Sequence, residues 1–195
     1  AFFLEAGFLG VMLFGWRRVS PRAHFFATFM VALGTLISTF WILSSNSFMQ
    51  TPQGFAIENG RIVPVDWWKV IFNPSFPYRL AHMSIAAFLV AGFIVAACGA
   101  WHLLRGRRDE PIRRSFSMAL WILLLMTPIQ VLVGDAHGLN TLEHQPAKIA
   151  AIEGLWETEK GGTALNLFGL PDMQAEETRY AVKVPRLGSL ILTHS

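Results

Sequence analysis

The chain has 195 residues, of which 53% are hydrophobic and 15% charged, with 16 Phe, 7 Trp and a net charge of +3. A composition this apolar excludes an ordinary soluble domain, and a small basic excess gathered beside apolar runs argues against nucleic acid as a partner. The only cysteine, Cys98, lies within an apolar run, can form no intrachain disulfide and reads as a small apolar packing residue.

In chain order, residues 1–16 (AFFLEAGFLGVMLFGW) come first and read as the remaining part of a membrane span. No basic stretch precedes this run and no small-residue cleavage site follows it, so it is not a signal peptide. The chain opens inside it without Met and closes on an apolar run barely begun, LILTHS (190–195), so a fragment of a longer protein is expected. Glu5 sits within this first run. A carboxylate in hydrocarbon costs on the order of several kcal/mol unless it faces a partner or water, which makes it a functional candidate. Eleven residues before Trp16, it lies roughly 16 Å from the end of the run. It either accepts and releases protons or makes an inter-helix hydrogen bond to Ser38 or Thr35 of the next span.

Residues 23–45, 80–104 and 115–134 carry no Asp, Glu, Lys or Arg, and each reaches the roughly 20 residues a crossing needs. Arg17, Arg18 and Arg22 separate the first two spans, and Arg105, Arg107, Arg108, Arg113 and Arg114 separate the last two. Both loops are therefore expected on the cytoplasmic side. Segments 46–79 and 135–195 then share the outer face. The first, with Pro64, Asp66, Trp67, Trp68, Asn73, Pro74, Pro77 and Tyr78, suits an ordered interfacial loop with an aromatic anchor. The second, roughly 60 residues and polar, is too long for a plain connector.

Within the third span, His82 follows Arg79 by three residues, about 5 Å below the outer end. It shares a helix face with Ile85, Ala86 and Leu89, whose small and aliphatic side chains leave room for a flat macrocycle. A neutral imidazole there suits an axial ligand of haem iron, and the plainer alternative is a hydrogen-bonded interfacial histidine. His24 and His102, at cytoplasmic ends, take the plainer reading. Asp135 ends the fourth span, either as a surface carboxylate or as a proton exit. Pro146 opens a helix with Ile149, Ile152 and Trp156 on one apolar face. On it Lys148 and Glu153 are about 140° apart, so periodicity alone gives an ordinary amphipathic surface helix. No Gly-rich phosphate loop, paired-Cys zinc motif or nucleophile elbow occurs, and nucleotide hydrolysis has no support.

Several stretches together resemble subunit I of the cytochrome bd family of quinol oxidases: FFLEAGFLGVMLFGW (2–16), VALGTLISTFWILSSNSFMQTP (31–52), NPSFPYRLAHM (73–83), GDAHG (134–138) and QPAKIAAIEGLWET (145–158). The wording from Gly134 to Glu157 is nearest to the cyanide-insensitive branch. The resemblance implies an enzyme of the bacterial cytoplasmic membrane that oxidises ubiquinol or menaquinol at the periplasmic face and reduces dioxygen to water, drawing protons from the cytoplasm. It implies a second membrane subunit, subunit II, contact with lipid, and three haems. His82 matches the ligand of the low-spin b haem. A high-spin haem b and a haem d, or a second haem b, use ligands beyond this chain, as does the low-spin haem's Met ligand. Lys148 and Glu153 match the quinol-oxidation pair of the long Q-loop, Glu5 and Ser38 match the proton path, and Asp135 matches an acidic residue at the outer end of its span. Ala6 stands where the family often has Ser, so water or another hydroxyl is needed there.

The expected fold is all-α: a bundle of four transmembrane helices over 1–134, the first truncated, then a periplasmic Q-loop segment over 135–195 with a short amphipathic helix leading into a further truncated span. The alternative function is a proton-coupled transporter without haem, with Glu5 as the coupling carboxylate.

Overall fold

The computed structural model describes residues 2–157 and 162–193. Ala1 of the first run, Thr158 of the Lys148/Glu153 motif, and His194 and Ser195 at the close lie outside the described residues. The chain divides into two compact units, Ala1–Phe88 and Leu89–Ser195.

The first unit opens with α1 (Phe2–Phe14) and α2 (Pro21–Gln50). Ser20 caps α2 by accepting from the Ala23 N–H at 3.3 Å, and Pro21 supplies the first helical residue, where a missing N–H costs nothing. His24 Nε2 donates to the Met12 carbonyl at 2.8 Å, satisfying one of the carbonyls that the end of α1 leaves open. Its plain structural role matches expectation. α2 stops at Thr51 because Pro52 follows and disfavours helical geometry in the residue before it.

Beyond α2 come β1 (Phe55–Glu58), β2 (Arg61–Pro64), α3 (Trp67–Ile71) and the first part of α4 (Phe76–Leu104). β1 and β2 form an antiparallel hairpin closed by Asn59 and Gly60, with φ of 52° and 75°. Two central residues of positive φ make the turn whose twist suits a two-residue hairpin. Asp66 caps α3 by accepting from the Trp68 and Lys69 N–H groups. Under this segment Thr51 Oγ1 donates to Asn73 Oδ1 at 3.1 Å and accepts from the Ser75 N–H at 3.4 Å, while the Phe40, Phe72 and Phe76 rings meet edge to face. Asn73 is fully buried, so its amide must be bonded, and it is: Nδ2 donates to the Val70 carbonyl.

In the second unit the remainder of α4 packs on α5 (Glu110–His144). Gly92, Ala96 and Gly99 form a small-residue seam into which Leu123, Ala119 and Phe116 fit; a Cβ on Gly99 would come within 2.9 Å of Phe116. Such seams let membrane helices approach closely enough for dispersion to hold them. α5 runs through Pro128 and continues to His144, ten residues past the end expected at 134. The polar residues from Asp135 onward do not break a helix. Pro146 does, by pushing Gln145 to φ −143° and ψ 59°. Then follow α6 (Pro146–Glu153), β3 (Leu165–Asp172), β4 (Glu177–Val184) and α7 (Leu187–Thr193), with β3 and β4 an antiparallel hairpin.

The protein is thus mostly helical, and the two hairpins depart from the all-helical expectation. α2, α4 and α5, with 30, 29 and 35 residues, are long and apolar enough to cross a membrane. Their outward surfaces carry large apolar side chains, among them Phe25, Trp41, Phe93, Ile94, Leu124 and Leu132, all more than half exposed. A face of that kind needs lipid or protein against it. α1, with 13 described residues, spans about 20 Å and falls short of a full crossing.

Candidate functional site

In the first unit, Glu5 of α1 is half-buried and accepts a hydrogen bond from Ser38 Oγ of α2 at 2.7 Å. One turn before Ser38 stands Gly34, where an added Cβ would lie 2.8 Å from Glu5 Cγ and 3.4 Å from Leu4 Cβ. Gly34 is therefore the notch and Ser38 the polar contact, spaced four residues apart so that both face α1. Of the two partners that depth allowed, the structure selects Ser38; Thr35 Oγ1 donates to its own helix, at the Val31 carbonyl. A carboxylate next to a hydroxyl places proton-accepting and proton-donating atoms in line. Gly34 was not among the residues singled out from the sequence, although a glycine four residues from a polar residue in an apolar span is a readable signal of close approach.

His82 lies on α4 within this unit, half-buried along with Ile85 and Ala86 on the same face. Arg79, one turn earlier, donates through Nη1 to Asn46 Oδ1 of α2 and so ties the beginning of α4 to the end of α2. Among the described residues no three His, Cys, Asp or Glu side chains gather to hold a metal ion. An imidazole beside Ile85 and Ala86, as that of His82 is, has the donor chemistry of an axial ligand to a macrocycle's iron.

In the second unit Asp135 is exposed on α5 in mid-helix and does not end it. Lys148 stands in the first turn of α6, and Glu153 is its last helical residue; both are half-buried. Gly154 follows in the left-handed conformation at φ 65°, the Leu155 N–H reaches the Ala150 carbonyl at 2.8 Å, and the Gly154 N–H reaches that of Ala151. These are the paired bonds of a Schellman helix end. A helix begins at Pro146 as expected but ends at Glu153, so Trp156 lies beyond it; of the expected apolar face only Ile149 is buried, and Ile152 is 66% exposed. The hairpin beside its end was not expected; Asn166 bonds the Glu153 carbonyl that closes α6, and Thr178 bonds the carbonyl of Gly154 just after it.

A family model described as cytochrome bd terminal oxidase subunit I matches residues 1–195. The chain is similar to the cytochrome bd-II ubiquinol oxidase subunit 1 of Escherichia coli (strain K12), 34% identical over 197 residues, covering 100% of this chain and 38% of that protein. It is also similar to the cytochrome bd ubiquinol oxidase subunit 1 of Bacillus subtilis (strain 168), 36% identical over 185 residues, covering 95% of this chain and 40% of the relative. The solved bd oxidase from Geobacillus thermodenitrificans superposes with a TM-score of 0.78 at 34% identity, over 99% of this chain and 44% of that one. The chain spans about two fifths of the length of these relatives.

Proposed function

Because the chain belongs to the cytochrome bd terminal oxidase subunit I family, we propose that it is part of a quinol:oxygen oxidoreductase of the bacterial inner membrane, working with a subunit II. The observation that carries this is the family match from residue 1 to residue 195. α1 acts as a fourth span in the complete protein, and the segment from Asp135 onward forms the periplasmic Q-loop with α6 as its amphipathic helix.

His82 holds the low-spin b haem through its imidazole. When bound, that haem supplies a one-electron store between quinol and dioxygen. Lys148 and Glu153 bind the quinol headgroup, Glu153 as the carboxylate that takes a hydroxyl proton and Lys148 as the cation that offsets developing negative charge. Glu5 and Ser38 hold and pass protons taken up from the cytoplasm for water formation, which the 2.7 Å bond between them supports. Asp135, exposed near the polar end of α5, releases protons to the outer side.

In the intact complex, His82→Ala is expected to remove the low-spin b signal from the reduced-minus-oxidised spectrum. An unchanged spectrum rejects the ligand role. A complete, purified complex with no haem absorption at all rejects the oxidase in favour of a haem-free proton-coupled transporter.

A further inference from the structure

A helix that ends in a Schellman pair satisfies the carbonyls three and two residues back from its cap and leaves later ones in need of outside donors. At the end of α6 the later ones include those of Glu153 and of Gly154 just beyond it, and both are met by side chains of the β3–β4 hairpin. Asn166 Nδ2 donates to the Glu153 carbonyl at 2.6 Å, and Thr178 Oγ1 donates to the Gly154 carbonyl at 3.0 Å. Thr178 Oγ1 in turn accepts from Trp156 Nε1 at 3.0 Å. One hydroxyl thus gathers the chain on both sides of Leu155.

The hairpin is shaped for this. Its register runs Asn166↔Lys183, Phe168↔Val182, Leu170↔Arg179, so one residue is extra on β3 and another on β4, where Tyr180 lies at φ 54°. Paired irregularities of this kind turn side chains out of a strand's ordinary alternation. Gly169 completes the fit, because a Cβ there would overlap the Thr178 methyl group. Arg179 bridges Asp172 at 2.8 Å and Glu177 at 2.9 Å and so braces the hairpin beside its turn.

We infer that Asn166 and Thr178 are positioning residues that clasp the end of α6 and set where the Glu153 carboxylate points. The inference rests on the proposal that Glu153 works in quinol oxidation. Neither clasp residue touches the quinol. They act through the backbone of the residue that does.

The test uses the intact complex with a short-chain ubiquinol and, in parallel, a short-chain menaquinol. Thr178→Val keeps the shape of the side chain and removes its hydroxyl, whereas Thr178→Ser keeps the hydroxyl and removes the methyl. Thr178→Val is expected to lower kcat/KM for quinol about fivefold, the worth of one net hydrogen bond. Faster hydrogen exchange at the Gly154 and Leu155 amides should accompany it, with the haem spectrum intact. Thr178→Ser restores both toward wild type, a rescue that loss of packing alone would not give. Asn166→Ala, which leaves Thr178 in place, supplies the same readout if the valine variant does not assemble. Wild-type quinol kinetics in Thr178→Val and Asn166→Ala, or equal losses in the valine and serine variants, overturn the clasp. Glu153→Gln separates the two layers: if it is impaired while the clasp variants are not, only the clasp fails. If Glu153→Gln also turns over quinol normally, the proposed site fails and the clasp with it.

Discussion

The Glu5–Ser38 contact and the end of α6 solve the same problem, holding one carboxylate-bearing residue in place, by opposite means. Glu5 is held by its own side chain, in a single bond across two helices that Gly34 allows to meet. Glu153 is held by its backbone, through donors from a hairpin that begins twelve residues later in the chain, at Leu165. In an apolar span few polar atoms compete for a carboxylate, so its partner is nearly determined by depth. In a polar loop many donors are available, and only the folded hairpin selects Asn166 and Thr178. A side chain held by its backbone also keeps its carboxylate oxygens unspent, which suits contact with a substrate.

Substitutions at three positions in the intact complex press on that contrast, beginning with the greatest expected loss. Glu153→Gln is expected to lower kcat/KM for quinol about a hundredfold, the lower end of what a positioned acid or base contributes, with the haem spectrum unchanged. A spectrum lost along with the activity would make Glu153 a folding residue and erase the contrast. Gly34→Val places a branched side chain against Glu5 and is expected to cost roughly 1–3 kcal/mol, typical of overpacking. A lowered midpoint of thermal unfolding, together with slower dioxygen consumption, would register it; an unchanged midpoint would show that α1 is not held at this notch. Ser38→Ala removes one hydrogen bond, so about a fivefold slowing of dioxygen consumption is expected, recovered in Ser38→Thr. If alanine and threonine behave alike, the hydroxyl is a bystander and Glu5 has another partner.

The helical parts were legible where one physical demand dominated. Uncharged runs long enough to cross a bilayer became α2, α4 and α5, and a carboxylate in the first run found a hydroxyl at matching depth. Boundaries were less legible, because the return of charge ends an apolar run without ending a helix. α5 instead keeps its backbone bonds past Asp135 until Pro146 forbids the next turn. The β1–β2 hairpin carried a readable signal, Asn59–Gly60 between Phe55, Ile57 and Ile62, which the Trp and Pro content of 46–79 overshadowed. The β3–β4 hairpin offered less. Its irregular register breaks the alternation that would announce two strands, and its turn is organised by Asp172 accepting from the Gln174 and Ala175 N–H groups. Lys148 and Glu153 stood out only through resemblance, since nothing in an eight-residue helix marks one charged residue above another.

The unbroken course of α5 has a mechanical consequence. Pro128 has no N–H to offer the carbonyl four residues back, which makes it the natural pivot of an otherwise stiff rod. From Pro128 to His144 is about 24 Å of helix, so a flexure of about 10° at the pivot would sweep the far end through about 4 Å. Only Gln145 separates that far end from α6. A bend at Pro128 would therefore carry Lys148, in the first turn of α6, along with the far end of α5.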